Sequence, residues 1–193
     1  MKKRQLVIHY NAPVVLSFAL IALIALVVLG LDFLTGGATT SKYFCVYRSS
    51  FSDPLTYLRL FTHVLGHGSY SHYISNIMLM LVIGTTLEDK YGSRKLMFCI
   101  AVTALVSGLV QVFFFPSTAL LGASGIVFMM IVLSSLSGMK NNSIPLTLIL
   151  VFVLYLGGEL WDAITIRDNV SQLTHIVGGA CGAVLGLLMK GRR

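Results

Sequence analysis

Long apolar runs alternate with short polar connections along this chain. Charge-free stretches lie at Val14–Leu31, Ser71–Leu87, Leu96–Phe115, Gly122–Met139, Ile144–Gly158 and Val170–Met189. Most approach the roughly 17–25 residues that a helix needs to cross a bilayer. The pattern therefore predicts six membrane spans. The fifth is the shortest, and Trp161 just beyond it suits a membrane interface. The first run is longer than the roughly 7–15 residues of a signal-peptide core, and "LDFLTGG" lacks an A-x-A-like cleavage site, so a retained helix is expected.

One connection is long. Residues 32–70 carry Tyr43, Phe44, Tyr47, Phe51, Tyr57 and Phe61, too many aromatics for a solvated linker. This stretch is expected to be a partly helical outer loop that lies in the interface or packs on the bundle. No convincing internal repeat occurs, and no connection has room for a soluble domain. The expected architecture is an all-α membrane protein, a six-transmembrane-helix bundle forming a single domain over residues 1–193.

Composition agrees: 56% of the 193 residues are hydrophobic, 11% are charged, and the mean hydropathy is +0.86. Lys2, Lys3, Arg4, Lys90, Arg94, Lys95, Lys140, Lys190, Arg192 and Arg193 fall on one side of a six-span topology. Only Lys42, Arg48, Arg59 and Arg167 fall on the other. The positive-inside rule then places both termini in the cytoplasm. Topology and anionic lipid headgroups account for the net charge of +7, which needs no nucleic acid. Cys45, Cys99 and Cys181 are dispersed, which implies neither a disulfide framework nor a thiolate metal site.

The even-numbered spans run in one direction, so distance from their inner ends measures depth. His72 precedes Glu88 by 16 residues, Ser124 precedes Lys140 by 16, and His175 precedes Lys190 by 15. At about 1.5 Å per residue all three lie at one level, below the outer surface. Polar groups at that depth must face the bundle interior or a wet cavity, and by default they mark a functional site. Asn76 is one turn from His72 on the same face.

Gly178, Gly182 and Gly186 give the sixth span a smooth face that begins beside His175. Such faces allow close helix contact in membranes. If the neighbour is the fourth span, Ser124 meets His175. A serine hydroxyl becomes a useful nucleophile when an imidazole takes its proton. Gly122 and Gly125 would admit a substrate backbone, and a helix opening near Ser124 would aim free N–H groups at developing negative charge. His72 and Asn76 would add donors to that oxyanion hole.

At these residues the sequence resembles the rhomboid family of intramembrane serine proteases, in its minimal six-helix prokaryotic form. The matching elements are His72-x-x-x-Asn76, Gly122-Ala123-Ser124-Gly125, and His175 with the glycine face "HIVGGACG". Arg59 before "FTHVLGH", His63, His67 and "LEDKYGS" add to the likeness, which covers roughly residues 55–189. The resemblance implies Ser124 as nucleophile, His175 as general base, and His72, Asn76 and the Ser124 amide as the oxyanion hole. Gly122, Gly125, Phe128 and Gly178 support the site, with Phe128 where the family commonly has a tyrosine stacked on the histidine. Leu58 stands where many members have tryptophan. Glu159, Asp162 and Asp168 are expected in solvent, which leaves a dyad and no third residue. The implied substrates are single-pass transmembrane proteins, cut near the extracytoplasmic side. No cofactor is implied, and the expected location is a prokaryotic inner membrane.

Other readings stay open. Ser124 alone is commonly a packing residue at a helix contact. His63 and His67 have an i, i+4 metal-ligand spacing, but HVLGH lacks the glutamate of H-E-x-x-H and no metal is expected. Structural hydrogen bonding suits these histidines better. Glu88 either ties its connection to Arg94 or is solvated. A non-proteolytic member that binds membrane clients is one alternative function. A small transporter with a histidine relay is another, opposed by the lack of acidic residues within the spans.

Overall fold

The computed structural model describes residues 11–138, 146 and 169–190, with backbone alone for 169–172 and 190. The predicted span at 144–158, residue 146 aside, together with Lys2, Lys3, Arg4, Lys140, Arg192, Arg193, Glu159, Trp161, Asp162, Arg167 and Asp168, lies outside the described residues. The other five apolar runs each fall on helix.

Helix α1 (Pro13–Thr35) starts with proline at its first position, where a missing N–H costs nothing, and ends at Gly36, whose φ of 66° stops it. Helix α1 and the later helix at Ser93–Phe114 are long and apolar enough to cross a membrane. A short helix α2 (Thr39–Tyr43), strand β1 (Val46–Tyr47), helix α3 (Pro54–Thr62) and a 3₁₀ turn (His63–Leu65) follow. Next comes one nearly continuous rod. It is α4 (Tyr70–Leu79), a π-helical turn (Met80–Gly84) and α5 (Thr85–Tyr91). Gly92, at φ 82°, turns the chain into α6 (Ser93–Phe114). Strand β2 (Ala119–Leu120) precedes α7 (Ser124–Ser137), and α8 spans Asn169–Lys190.

Apolar side chains from α1, the α4–α5 rod, α6 and α7 share one core, which includes Val15, Ile77, Met80, Leu96, Ile126, Met129, Met130 and Leu133. Only about a quarter of the α1 window is buried, 28%, against 50% for α6, so α1 sits on the periphery and presents most of its surface outward. The predicted loop is folded. Its α3 packs on α6 through Leu60, whose backbone lies so near Gly108 that a Cβ there would stand 3.1 Å from Leu60 Cα. Antiparallel pairing of Val46 with Leu120 and Tyr47 with Ala119 ties it to the segment before α7.

Two buried charges organise the two ends. Glu88 is only 3% exposed and neither solvated nor turned to Arg94. Its carboxylate accepts from the Val14 and Val15 amides at 3.0 and 3.1 Å and from Ser93 Oγ at 2.7 Å. It therefore caps α1, whose own Ala12 has no capping side chain. Arg59, 2% exposed, donates to Tyr47 Oη at 2.9 Å, Ser49 Oγ at 2.8 Å and Asp53 Oδ2 at 3.0 Å. Its guanidinium also lies 4.5 Å from the Tyr47 ring centre.

Candidate functional site

A cavity of about 270 Å³ opens between α4, α7 and α8. Its walls are His72, Ser75, Asn76 and Leu79 of α4, Ser124, Val127 and Phe128 of α7, and His175 of α8. The four polar residues singled out from spacing therefore share one space.

Local chemistry sets each position. Ser69 caps α4 and accepts from the His72 amide at 3.1 Å, which puts His72 in the helix's first turn. Asn76, one turn on and 7% exposed, donates from Nδ2 to the His72 carbonyl at 2.9 Å. Ser75 Oγ donates to the same carbonyl at 3.1 Å. The π turn follows immediately, and Gly84 within it lets α1 approach, since a Cβ there would stand 2.8 Å from Val15 Cγ2.

On the facing side the apolar run starts at Gly122 but the helix starts at Ser124. Gly122 has φ 126°, a left-handed backbone that other residues avoid. Its amide donates to the His63 carbonyl at 2.9 Å. The His72 ring also lies against it, for a Cβ there would stand 2.8 and 2.9 Å from His72 Cε1 and Nε2. Glycine thus serves two needs at once: the turn into the helix and room for the imidazole. The first-turn amides of α7, including that of Ser124, have no acceptor within the helix.

α8 approaches α7 along its glycines. A Cβ on Gly178 would stand 2.1 Å from the Gly125 carbonyl oxygen, and one on Gly182 would stand 2.5 Å from that of Met129. The third glycine, Gly186, meets the side chains of Leu133 and Leu136. This backbone contact draws His175 onto α7, where its ring stacks on Phe128 with centres 4.4 Å apart and planes 9° apart. Gly125 is enclosed on its other side by Thr174 and Ser107.

His63 and His67 are outside the cavity but brace it. His63 is 1% exposed and bonds through Nε2 to the Ala104 carbonyl at 3.1 Å, which fixes the loop to α6. His67 is fully buried, bonds through Nδ1 to the Leu65 carbonyl at 3.1 Å, and stands edge-on to His72 with centres 5.1 Å apart. Burial pushes both imidazoles down to about 4, against the opposing pull of those carbonyls. No cluster of three or more metal-ligating side chains occurs among the described residues.

Spacing missed Ser75, Leu79 and Val127. Leu79 stands three residues after Asn76, and Val127 three after Ser124, so the helical period itself places them on the cavity face. Ser75 lies three after His72 and was equally legible.

Comparison with known proteins adds an independent line. The chain is 25% identical over 199 residues to rhomboid protease GluP of Bacillus subtilis, a match covering 98% of this chain and 38% of that protein. It is 30% identical over 135 residues to rhomboid protease GlpG of Pectobacterium atrosepticum, covering 68% of this chain and 46% of the relative. Rhomboid-related protein 2 of Mus musculus is 26% identical over 154 residues, covering 69% and 51%. The chain thus spans about half or less of the length of these relatives. The family model described as the rhomboid domain matches residues 54–192. That stretch contains every wall of the cavity, and with it the chain belongs to the rhomboid family of integral membrane proteins.

Proposed function

We propose that this protein is an intramembrane serine endopeptidase working through a Ser124–His175 dyad. The observation that carries the reading is the common cavity. It gathers a hydroxyl at a helix N-terminus, an imidazole held by a stacked ring, and a second pair of polar side chains, His72 and Asn76. The names of the relatives, rhomboid proteases among them, favour the same chemistry.

In this reading Ser124 Oγ attacks the scissile carbonyl carbon while His175 takes the hydroxyl proton. The oxyanion is met by the Ser124 amide with His72 and Asn76, each donor worth about 3–4 kcal/mol in comparable sites. His175 then returns the proton to the leaving amine, which departs and leaves an acyl-enzyme. Water, activated by the same imidazole, releases the acyl group and restores Ser124. Asn76 must swing its amide from the His72 carbonyl to reach the oxyanion, a change its single bond allows.

The substrates in this reading are single-pass transmembrane proteins, cut near the extracytoplasmic face. The chain has six spans with both termini in the cytoplasm of a prokaryotic cell, and the Glu88 end of the bundle faces inward. No cofactor takes part.

Fluorophosphonate labelling tests the assignment. The purified protein should react covalently, Ser124→Ala should not, and His175→Ala should react far more slowly. Cleavage of a tagged transmembrane substrate should fall by on the order of 10³–10⁶ in Ser124→Ala. A wild-type protein that neither labels nor cleaves would leave a client-binding role in place of the protease.

A further inference from the structure

A second cavity, of about 290 Å³, lies away from Ser124 at the far end of α1. It is lined by Leu29, Asp32, Phe33, Gly37, Thr40, Ser41, Cys45 and Leu121. Among the described residues Asp32 supplies its one carboxylate, and that carboxylate makes no ion pair with any of them. Oδ2 accepts from the Thr40 amide at 2.7 Å, which holds the group in place without neutralising it. Thr40 is itself 6% exposed, and its Oγ1 is buried without a hydrogen-bond partner. Burial pushes the Cys45 thiol up, so it remains a neutral wall.

Position narrows the ligand. Asp32 stands 19 residues after Pro13, about 28 Å along α1, which is where the hydrocarbon of a bilayer roughly 30 Å thick ends. Phe33 beside it is 89% exposed. The cavity therefore combines a carboxylate that makes no ion pair among the described residues and a buried hydroxyl with apolar walls at headgroup depth. A primary ammonium with an acyl tail answers each of these features. A quaternary ammonium has no N–H to donate to either oxygen and answers them less well.

We propose that this cavity is a binding site for the ethanolamine headgroup of a phospholipid, with the ammonium on Asp32 and Thr40 and the upper acyl chain against Leu29 and Phe33. The site goes beyond the protease reading and uses none of its residues. Leu121, its far wall, immediately precedes Gly122, so a bound lipid also braces the turn into α7.

Native mass spectrometry of the full chain with equimolar phosphatidylethanolamine and phosphatidylcholine of matched acyl chains tests it. A single ion pair at Asp32 should give about fivefold greater retention of the ethanolamine lipid. Asp32→Asn keeps an acceptor for the Thr40 amide and should bring that ratio to about one. Leu29→Trp fills the cavity and should reduce retention of the ethanolamine lipid to the phosphatidylcholine level. Equal retention by the wild type, or a preference that survives either substitution, would overturn the proposal. Displacement of the lipid by millimolar free ethanolamine would overturn the lipid assignment in favour of a soluble amine. All of these readouts are independent of whether Ser124 is reactive.

Discussion

Along the α7–α8 seam, Gly178 and Gly182 lie against the backbones of Gly125 and Met129, whereas the α3 region closes around Arg59 through side-chain hydrogen bonds. The difference follows from where each contact is made. Between helices in lipid, apolar side chains gain little by leaving the acyl chains, so close backbone approach and the dispersion it brings must hold the seam. In the folded segment between α1 and α4, a buried cation can be satisfied by hydroxyls and a carboxylate drawn from several turns. The first contact is short of adjustable parts and sets how closely α8, and His175 with it, approaches α7. The second has many parts and positions a whole segment.

The seam should accordingly be the more brittle. Gly178→Ala would place a methyl 2.1 Å from the Gly125 carbonyl oxygen, and neither backbone can yield without moving its helix. A displacement of about 1 Å at a catalytic pair costs on the order of 10²-fold in rate, so cleavage should fall at least that far. Gly179→Ala is the matched control. Its new methyl meets only Val132 Cγ2 at 3.7 Å, ordinary contact, and activity should stay within about twofold of wild type. Equal losses in the two variants would show that close approach along the seam does not set the effect.

Arg59→Met comes next. It strands the polar groups of Tyr47, Ser49 and Asp53 around a buried site and should lower stability by about 2–4 kcal/mol, read as thermal unfolding in detergent. Arg59→Lys should rescue little of this, because an ammonium cannot reach the three partners in the guanidinium's planar spread. Since the α7–α8 contact is untouched, kcat of the surviving folded fraction should change less than in Gly178→Ala.

How far these features were legible in the sequence depends on the range of the interaction that makes them. The G-x-S-G turn, the His72–Asn76 pair and the glycine face of α8 are local patterns, repeating at helical spacing, and a reader can place them without coordinates. Glu88 is the opposite case. It stands at the end of an apolar run and reads as a partner for Arg94 or a solvated charge, yet it caps a helix through the Val14 amide, 74 residues away in the chain. Only the tertiary arrangement brings the α1 amides to it. The helix start expected near Ser124 holds, while the apolar run overshoots it to Gly122 for a different reason. Hydropathy is indifferent to φ, and Gly122 is as apolar as its neighbours while its left-handed backbone keeps it out of the helix. The π turn at Met80–Gly84 leaves no sequence mark except its closing glycine.

Acid should loosen the segment that His63 and His67 anchor. His63 and His67 titrate at about 4 in the folded protein and at the ordinary 6.5 when unfolded. Between those values the unfolded chain binds more protons than the folded one, so stability falls as pH drops from about 6.5 toward about 4. Above 6.5 both states are neutral at these rings and the slope should vanish. His63→Gln keeps a donor for the Ala104 carbonyl without an ionisable ring, and should flatten part of the pH dependence of the unfolding temperature. A slope unchanged in both His63→Gln and His67→Gln would place the acid sensitivity elsewhere.

The smallest effect sharpens the account of the seam itself. Phe128 and His175 stack face to face at 4.4 Å, and the Phe128 ring carries no polar handle. Aromatic pairs of this kind are worth about 0.5–1.5 kcal/mol beyond the area they bury, or roughly two- to tenfold in rate if the whole of it serves to hold His175. Phe128→Leu should therefore lower kcat within that range and leave KM nearly unchanged, because the ring orients the base and does not grip the substrate. Phe128→Tyr keeps the ring and should keep the rate. If the tyrosine variant were instead much faster, a hydroxyl in the cavity would be contributing a hydrogen bond that the stack cannot, and ring geometry alone would no longer explain how α7 holds the histidine.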